Sequence, residues 1–134
     1  MRADNARSDP RRALGAAGEE LAARHLEARG LEIVDRNFRS RYGELDLVAR
    51  DERYLVFCEV KTRIVRAAPG PLGPLAAIGA RKQQRIRAMA REWLSGAHDR
   101  LGPASPPEIR FDAVGISLDP AGRLIALEHL EGAF

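Results

Sequence analysis

The stretch Gly43-Glu44-Leu45-Asp46-Leu47-Val48-Ala49-Arg50-Asp51-Glu52-Arg53-Tyr54-Leu55-Val56-Phe57-Cys58-Glu59-Val60-Lys61-Thr62-Arg63 decides the fold. Two strand patterns, Glu44 to Arg50 and Tyr54 to Lys61, flank the short turn Asp51-Glu52-Arg53, which predicts a hairpin. Residues two apart on a strand share a face. Leu45, Leu47 and Ala49 therefore fall on one side and Glu44, Asp46 and Val48 on the other. On the second strand Val56, Cys58 and Val60 oppose Leu55, Phe57, Glu59 and Lys61. A strand facing water would scatter polar residues along its outer side, yet Leu55 and Phe57 stand there. Both faces are expected to be covered, with Glu59 and Lys61 at the rim of a packed layer, against the first helix.

Upstream, Asp9-Pro10 reads as a cap with proline at the first helical position. Leu14, Gly18, Leu21, His25 and Ala28 then recur at helical spacing, with Ala17 and Leu26 alongside, until Gly30 ends the helix. A strand from Leu31 to about Phe38 follows, with Leu31, Ile33 and Asp35 on one side, and Arg39 to Gly43 is a polar connection. Downstream, Ala67 to Pro74 holds Pro69, Gly70, Pro71, Gly73 and Pro74 and is a loop. It lacks the Gly-Lys-Ser/Thr ending of a phosphate-binding loop. A second helix is expected from about Leu75 to Leu94, with Ile78, Ile86, Met89, Ala90, Trp93 and Leu94 inward and Gly79 weakening its first turn. Gly96 to Pro107 is a second loop. A final hairpin, Glu108 to Leu118 and Arg123 to Leu130, turns at Asp119-Pro120-Ala121-Gly122. The expected order is α-β-β-β-α-β-β, an α/β (α+β) domain with a mixed central sheet of about five strands flanked by helices.

The chain has 134 residues, enough for a single core and too short for two. Residues 1–9 lack periodicity and are expected to form a loose tail, leaving 10–134 as one domain. Apolar residues make up 45% and charged residues 31%, which suits a folded soluble chain rather than a disordered one. The net charge of +3 permits contact with a polyanion without demanding it. One cysteine, Cys58, excludes an internal disulfide and a thiolate metal cage. No apolar run follows the N-terminal charges and none approaches the roughly 20 residues of a membrane span. A cytoplasmic protein with no membrane contact is the expectation.

Asp46, Glu59 and Lys61 can converge in one cleft. Neighbouring carboxylates repel, and a divalent cation relieves that cost. Oxygen-only ligands favour a hard ion, Mg²⁺ or Mn²⁺, that also binds phosphate oxygens. A lysine two residues from a ligand carboxylate can orient or deprotonate a water, or stabilise the charge that develops on phosphorus. The chain writes Arg 20 times and Lys only at Lys61 and Lys82, which is a second hint, because a titratable ammonium is not interchangeable with guanidinium. The competing reading is a surface ion pair between Glu59 and Lys61, worth little.

Several blocks resemble the YraN family, a bacterial group assigned to the PD-(D/E)xK restriction-endonuclease-like fold and similar to archaeal Holliday junction resolvases. They are Gly18-Glu19-Glu20, Gly43-Glu44-Leu45-Asp46-Leu47, Phe57-Cys58-Glu59-Val60-Lys61-Thr62-Arg63, Lys82 and Arg110-Phe111-Asp112, and the likeness covers about residues 12 to 134. It implies a restriction-endonuclease-like core and a site of a helix glutamate, an aspartate and a Glu-x-Lys. Asp46, Glu59 and Lys61 match the last three. Glu19 best matches the helix glutamate, with Glu20 adjacent as the alternative.

Glu44 shares the face of Asp46 and reads either as a further ligand or as an acceptor for backbone amides at the Gly43 turn. Arg63 is a candidate phosphate clamp, against the plain alternative of a solvated charge. Arg81, Lys82, Arg85 and Arg87 line the polar side of the second helix. They are either ordinary solvation or a track for a nucleic-acid backbone, with Lys82 and Arg85 as the leading contacts. His25, His98 and His129 lack ligand spacing, Cys58 and Trp93 read as core, and seven aromatics give no base-stacking platform. The leading expectation is a Mg²⁺-dependent (or Mn²⁺-dependent) endonuclease acting on DNA, including branched or repair intermediates. The alternatives are a nucleic-acid-binding accessory module without turnover and a protein-interaction domain with a vestigial site. The modest charge leaves room for a homodimer or a partner to supply further surface.

Overall fold

The computed structural model describes residues 10–66, 78–96, 101–102 and 108–134. The tail expected at 1–9 and the loop expected at 67–74 lie outside the described residues. The elements are α1 (Pro10–Ala28), β1 (Glu32–Ser40), β2 (Gly43–Arg50), β3 (Tyr54–Ile64), α2 (Ala80–Ser95), β4 (Glu108–Leu118) and β5 (Leu124–Leu130), in the expected order. They build a five-stranded sheet in which the strands lie side by side in chain order. Neighbours are antiparallel except β3 and β4, which run parallel from Tyr54–Glu108 to Ile64–Leu118. A parallel pair needs a crossover, and α2 lies on it.

Each face of the sheet has its own core. Under α1, Ala22, Ala23 and Leu26 pack on Leu47, Ala49, Val56, Cys58, Val114 and Ile116. Under α2, Ile86, Met89, Ala90 and Trp93 pack on Leu45, Val48, Leu55 and Phe57. Covering on both sides explains why Leu55 and Phe57 are apolar on the strand that also carries Glu59 and Lys61. The buried stripe of α1 runs through Gly18, Ala22, Ala23 and Leu26, whereas Ala17 and Ala28 are exposed. Alanine spacing alone does not separate the two sides of a helix with so little contrast.

Three local expectations change. Helix α2 starts at Ala80, with Gly79 as its N-cap rather than a weak point in its first turn. Gln83 fastens that start, its backbone N–H bonding Gly79 O and its side-chain amide Ile78 O (2.8 Å). A bulge between Ile33 and Asp35 turns Asp35 away from Ile33, and the Trp93 indole N–H donates to it at 2.8 Å, tying α2 to β1. Leu45 does not share a core with Leu47: it packs under α2, while Leu47 and Ala49 pack under α1. The alternation of β2 therefore breaks at Asp46.

Candidate functional site

The break is matched on the neighbouring strand. Asn37 sits between the Arg36–Leu47 and Phe38–Leu45 pairs, and it is the one non-glycine residue with positive φ (+52°) among those described. Asparagine tolerates this left-handed conformation better than most residues. Arg36 reaches Glu20 on α1 while Phe38 packs under α2, so β1 changes phase where β2 does. The Asn37 side-chain amide consequently faces α1 and donates to Glu19 (2.9 Å) and, at longer range, Glu44 (3.4 Å).

Glu19 is brought there by Gly18. A Cβ on Gly18 would overlap the Thr62 hydroxyl, so only glycine lets α1 lie this close to β3. Oxygen atoms of Glu19, Glu44 and Asp46 then lie within 4.8 Å of one another. Glu20 points elsewhere, bonded to Arg24 (3.2 Å) and Arg36 (2.8 Å). Glu44 is exposed, with Arg39 at 3.7 Å.

Asp46 occupies a gap in the β2–β3 ladder. Strand pairing ends at Leu47–Cys58, and beyond it Asp46 Oδ2 accepts the Val60 backbone N–H at 2.8 Å. Burial pushes the Asp46 carboxyl up, to about 8. The Glu59, Glu19 and Glu44 charges add to the rise and the Val60 bond offsets part of it. A carboxylate surrounded by carboxylates in a dry setting is costly to ionise.

Glu59 does not join the trio. Its side chain turns to α2, where Lys82 Nζ lies 2.6 Å from Glu59 Oε2, and it acts on Asp46 through its charge. Lys61 is exposed and hydrogen-bonded to Lys82. That bond, with burial and the Lys82 charge, lowers the Lys61 pKa against the opposing pull of Glu59 and Asp46. Lys82 moves up: its bonds to Glu59 and Lys61 outweigh burial. Arg63 donates to Ser117 Oγ at 3.4 Å, and Arg85 is exposed on α2.

A second polar cluster was not legible from spacing. His25 and His129, 104 positions apart, meet at 3.0 Å between ring nitrogens. The other nitrogen of His129 contacts Asp112 at 2.8 Å. Asp112 is fully buried and also takes two bonds from Arg110 (2.9 Å each) and the Gly132 N–H (3.1 Å). Burial would raise its pKa, but these partners together hold it below the usual carboxylate range. The cluster fastens β5 and α1 to β4. Cys58 is buried, and burial pushes its thiol pKa up, as suits a core residue. Asn37 and the Lys82–Glu59 pairing are the site features that sequence reasoning missed. The only cue to Asn37 was an asparagine inside a strand, a residue type depleted there.

The donor set suits a hard divalent cation, being all carboxylate oxygen with Asp46 partly buried. No helix among the described residues is long and apolar enough to cross a membrane. The family model "Uncharacterised protein family UPF0102" matches residues 18–116. A UPF0102 protein of Frankia alni is 50% identical over 123 residues, covering 91% of this chain and 94% of its own. One from Streptomyces griseus is 46% identical over 122 residues, covering 91% and 96%. One from Nocardia farcinica is 46% identical over 129 residues, covering 96% and 94%. The matched span contains Gly18, Glu19, Asn37, Asp46, Glu59 and Lys61, and the chain belongs to the UPF0102 family.

Proposed function

We propose that this protein is a Mg²⁺- or Mn²⁺-dependent endonuclease of the PD-(D/E)xK type that hydrolyses phosphodiester bonds in DNA, including branched or repair intermediates. The observation that carries the reading is the convergence of Glu19, Glu44 and Asp46 from a helix and a strand, with Asp46 at a phase break that two strands share. Asp46, Glu19 and Glu44 would hold the ion. Such an ion supplies positive charge that polarises a phosphoryl oxygen and acidifies an attacking water. Asn37 fixes Glu19 and Glu44 through its amide. Lys82 holds Glu59 and, first through its hydrogen bond and then through its charge, lowers the Lys61 pKa. A neutral Lys61 amine can accept a proton at Nζ, and a charged one can stabilise developing negative charge.

One observation favours the binding-only alternative. Glu59 is engaged by Lys82 at 2.6 Å and stands outside the trio, as suits a structural ion pair. The deciding assay incubates purified protein with Mg²⁺ or Mn²⁺ and linear, flapped, nicked and four-way DNA, beside Asp46→Ala. The nuclease reading expects cleavage of at least one substrate that Asp46→Ala abolishes. Binding without cleavage by the wild type gives the protein to the accessory reading.

A further inference from the structure

A cleft of about 430 Å³ opens beside the acidic trio, with Glu19 and Glu44 in its lining. Arg11 and Arg12, from the first turn of α1, and Arg39, near the end of β1, also line it, and all three are exposed. The α1 wall between them is low, because it is made by Gly15 and Ala16, and the space beside Gly15 is open. Carboxylates alone repel a polyanion. Arginines drawn from two elements to the rim reverse that, and the guanidinium fork matches phosphate oxygens.

No residue of α2 lines this cleft, although Arg81 and Arg85 are exposed on that helix. Lys82 is committed to Glu59 at 2.6 Å, and the Arg87 guanidinium lies over the Phe111 and Phe134 rings at 4.7 and 5.8 Å. Arg39, by contrast, makes a loose 3.7 Å ion pair with Glu44, its own side chain 89% exposed. Exposed pairs of that kind exchange partners at small cost.

We propose that DNA reaches the acidic trio through this cleft, with its backbone phosphates held by Arg11, Arg12 and Arg39 rather than along α2 past Arg85. This rests on the phosphodiesterase reading and assigns that site its substrate-binding wall.

The test uses the full chain and fluorescein-labelled duplex and four-way DNA, with Ca²⁺ replacing Mg²⁺ to suppress turnover. Anisotropy gives the binding constant over a salt series for wild type, Arg11→Gln/Arg12→Gln, Arg39→Gln and Arg85→Gln. Removing one arginine that neutralises a phosphate flattens the slope of log K against log salt by about 0.9 on duplex DNA. The slope is expected to flatten by about 1.8 in the double variant and about 0.9 in Arg39→Gln, with Arg85→Gln keeping the wild-type slope. Wild-type slopes in the Arg11/Arg12 and Arg39 variants, or a flattening confined to Arg85→Gln, overturn the proposal. A parallel cleavage assay in Mg²⁺ separates the two levels. Cleavage by the wild type with unchanged slopes in the cleft variants removes the cleft route and leaves the nuclease reading standing. A wild type that neither binds nor cuts removes both.

Discussion

Gly18 of α1 rests directly on Thr62 of β3, so close that any side chain at position 18 would overlap the threonine hydroxyl. This approach sets how far Glu19 reaches, because the next residue along the helix carries the carboxylate that joins Glu44 and Asp46. Gly18→Ala is expected to push α1 off the sheet and destabilise the protein by about 1–3 kcal/mol, the usual cost of overpacking. Gly15→Ala, three residues earlier with nothing within 4 Å of the added carbon, should instead stabilise by about 0.5–1 kcal/mol through helix propensity. Urea unfolding of the two variants side by side checks the contrast.

Asp46 makes stability depend on pH in an unusual direction. Its carboxyl is raised from 3.8 to about 8 on folding, first by burial and then by the Glu59 charge. Between those values the folded state binds the proton that the unfolded state has released. Stability from this group is therefore complete below the lower value and is lost as pH rises through the higher one. Asp46→Asn removes the ionisation while its side-chain oxygen can still accept the Val60 N–H. Without divalent cation, the variant should gain on the wild type by more than about 1 kcal/mol between pH 5 and pH 8. Parallel thermal melts across that range measure the gap, and a constant gap would contradict the placement of Asp46.

Asn37 combines a left-handed backbone with the amide that spans Glu19 and Glu44. Asn37→Gly keeps the backbone conformation at little cost and removes the clamp. Its melting temperature without metal should stay near wild type, while its stabilisation by Mg²⁺ falls. Asn37→Ala should lose both, with about 1–2 kcal/mol from the backbone alone. Differential scanning calorimetry with and without Mg²⁺ separates the two effects.

The buried Asp112 predicts a purely structural loss. Asp112→Ala leaves Arg110 and His129 without their shared partner, and removing one member of a buried ion pair costs about 3–5 kcal/mol. Because Asp112 is held below its ordinary range in the fold, its contribution is present above the unfolded pKa and disappears as pH falls through the folded one. The acid limb of the stability profile should be shallower in the variant, as equilibrium unfolding below pH 5 would show.

Element order was legible in the sequence because Leu47, Ala49, Val56 and Cys58 alternate with Val48, Leu55 and Phe57, a pattern only a sheet covered on both sides would carry. The same alternation misplaced Leu45. Strict period two assumes an unbroken strand, and the phase changes at Asp46 and Asn37, where backbone conformation rather than hydrophobicity sets direction. Asp46, Glu59 and Lys61 stood out through residue type and spacing. Glu44 beside Asp46 follows from their two-residue spacing, but that Glu19 joins them, while Glu59 turns to Lys82, depends on how two helices sit on opposite faces. No local pattern encodes that. The meeting of His25 with His129 is hidden for the same reason, since it joins α1 to the last strand.

If Glu19, Glu44 and Asp46 form a cation site, folding leaves that site holding a proton which the cation must displace. Titrating Mn²⁺ into the protein at pH 7, in buffers of different ionisation enthalpy, measures both the binding and the protons released. With the Asp46 carboxyl at about 8, the expected result is saturable binding that releases close to one proton per ion, because ligands must deprotonate to coordinate. Asp46→Asn should bind more weakly and release none. Binding of equal strength in the variant, or no saturable binding to the wild type, would contradict the cation site.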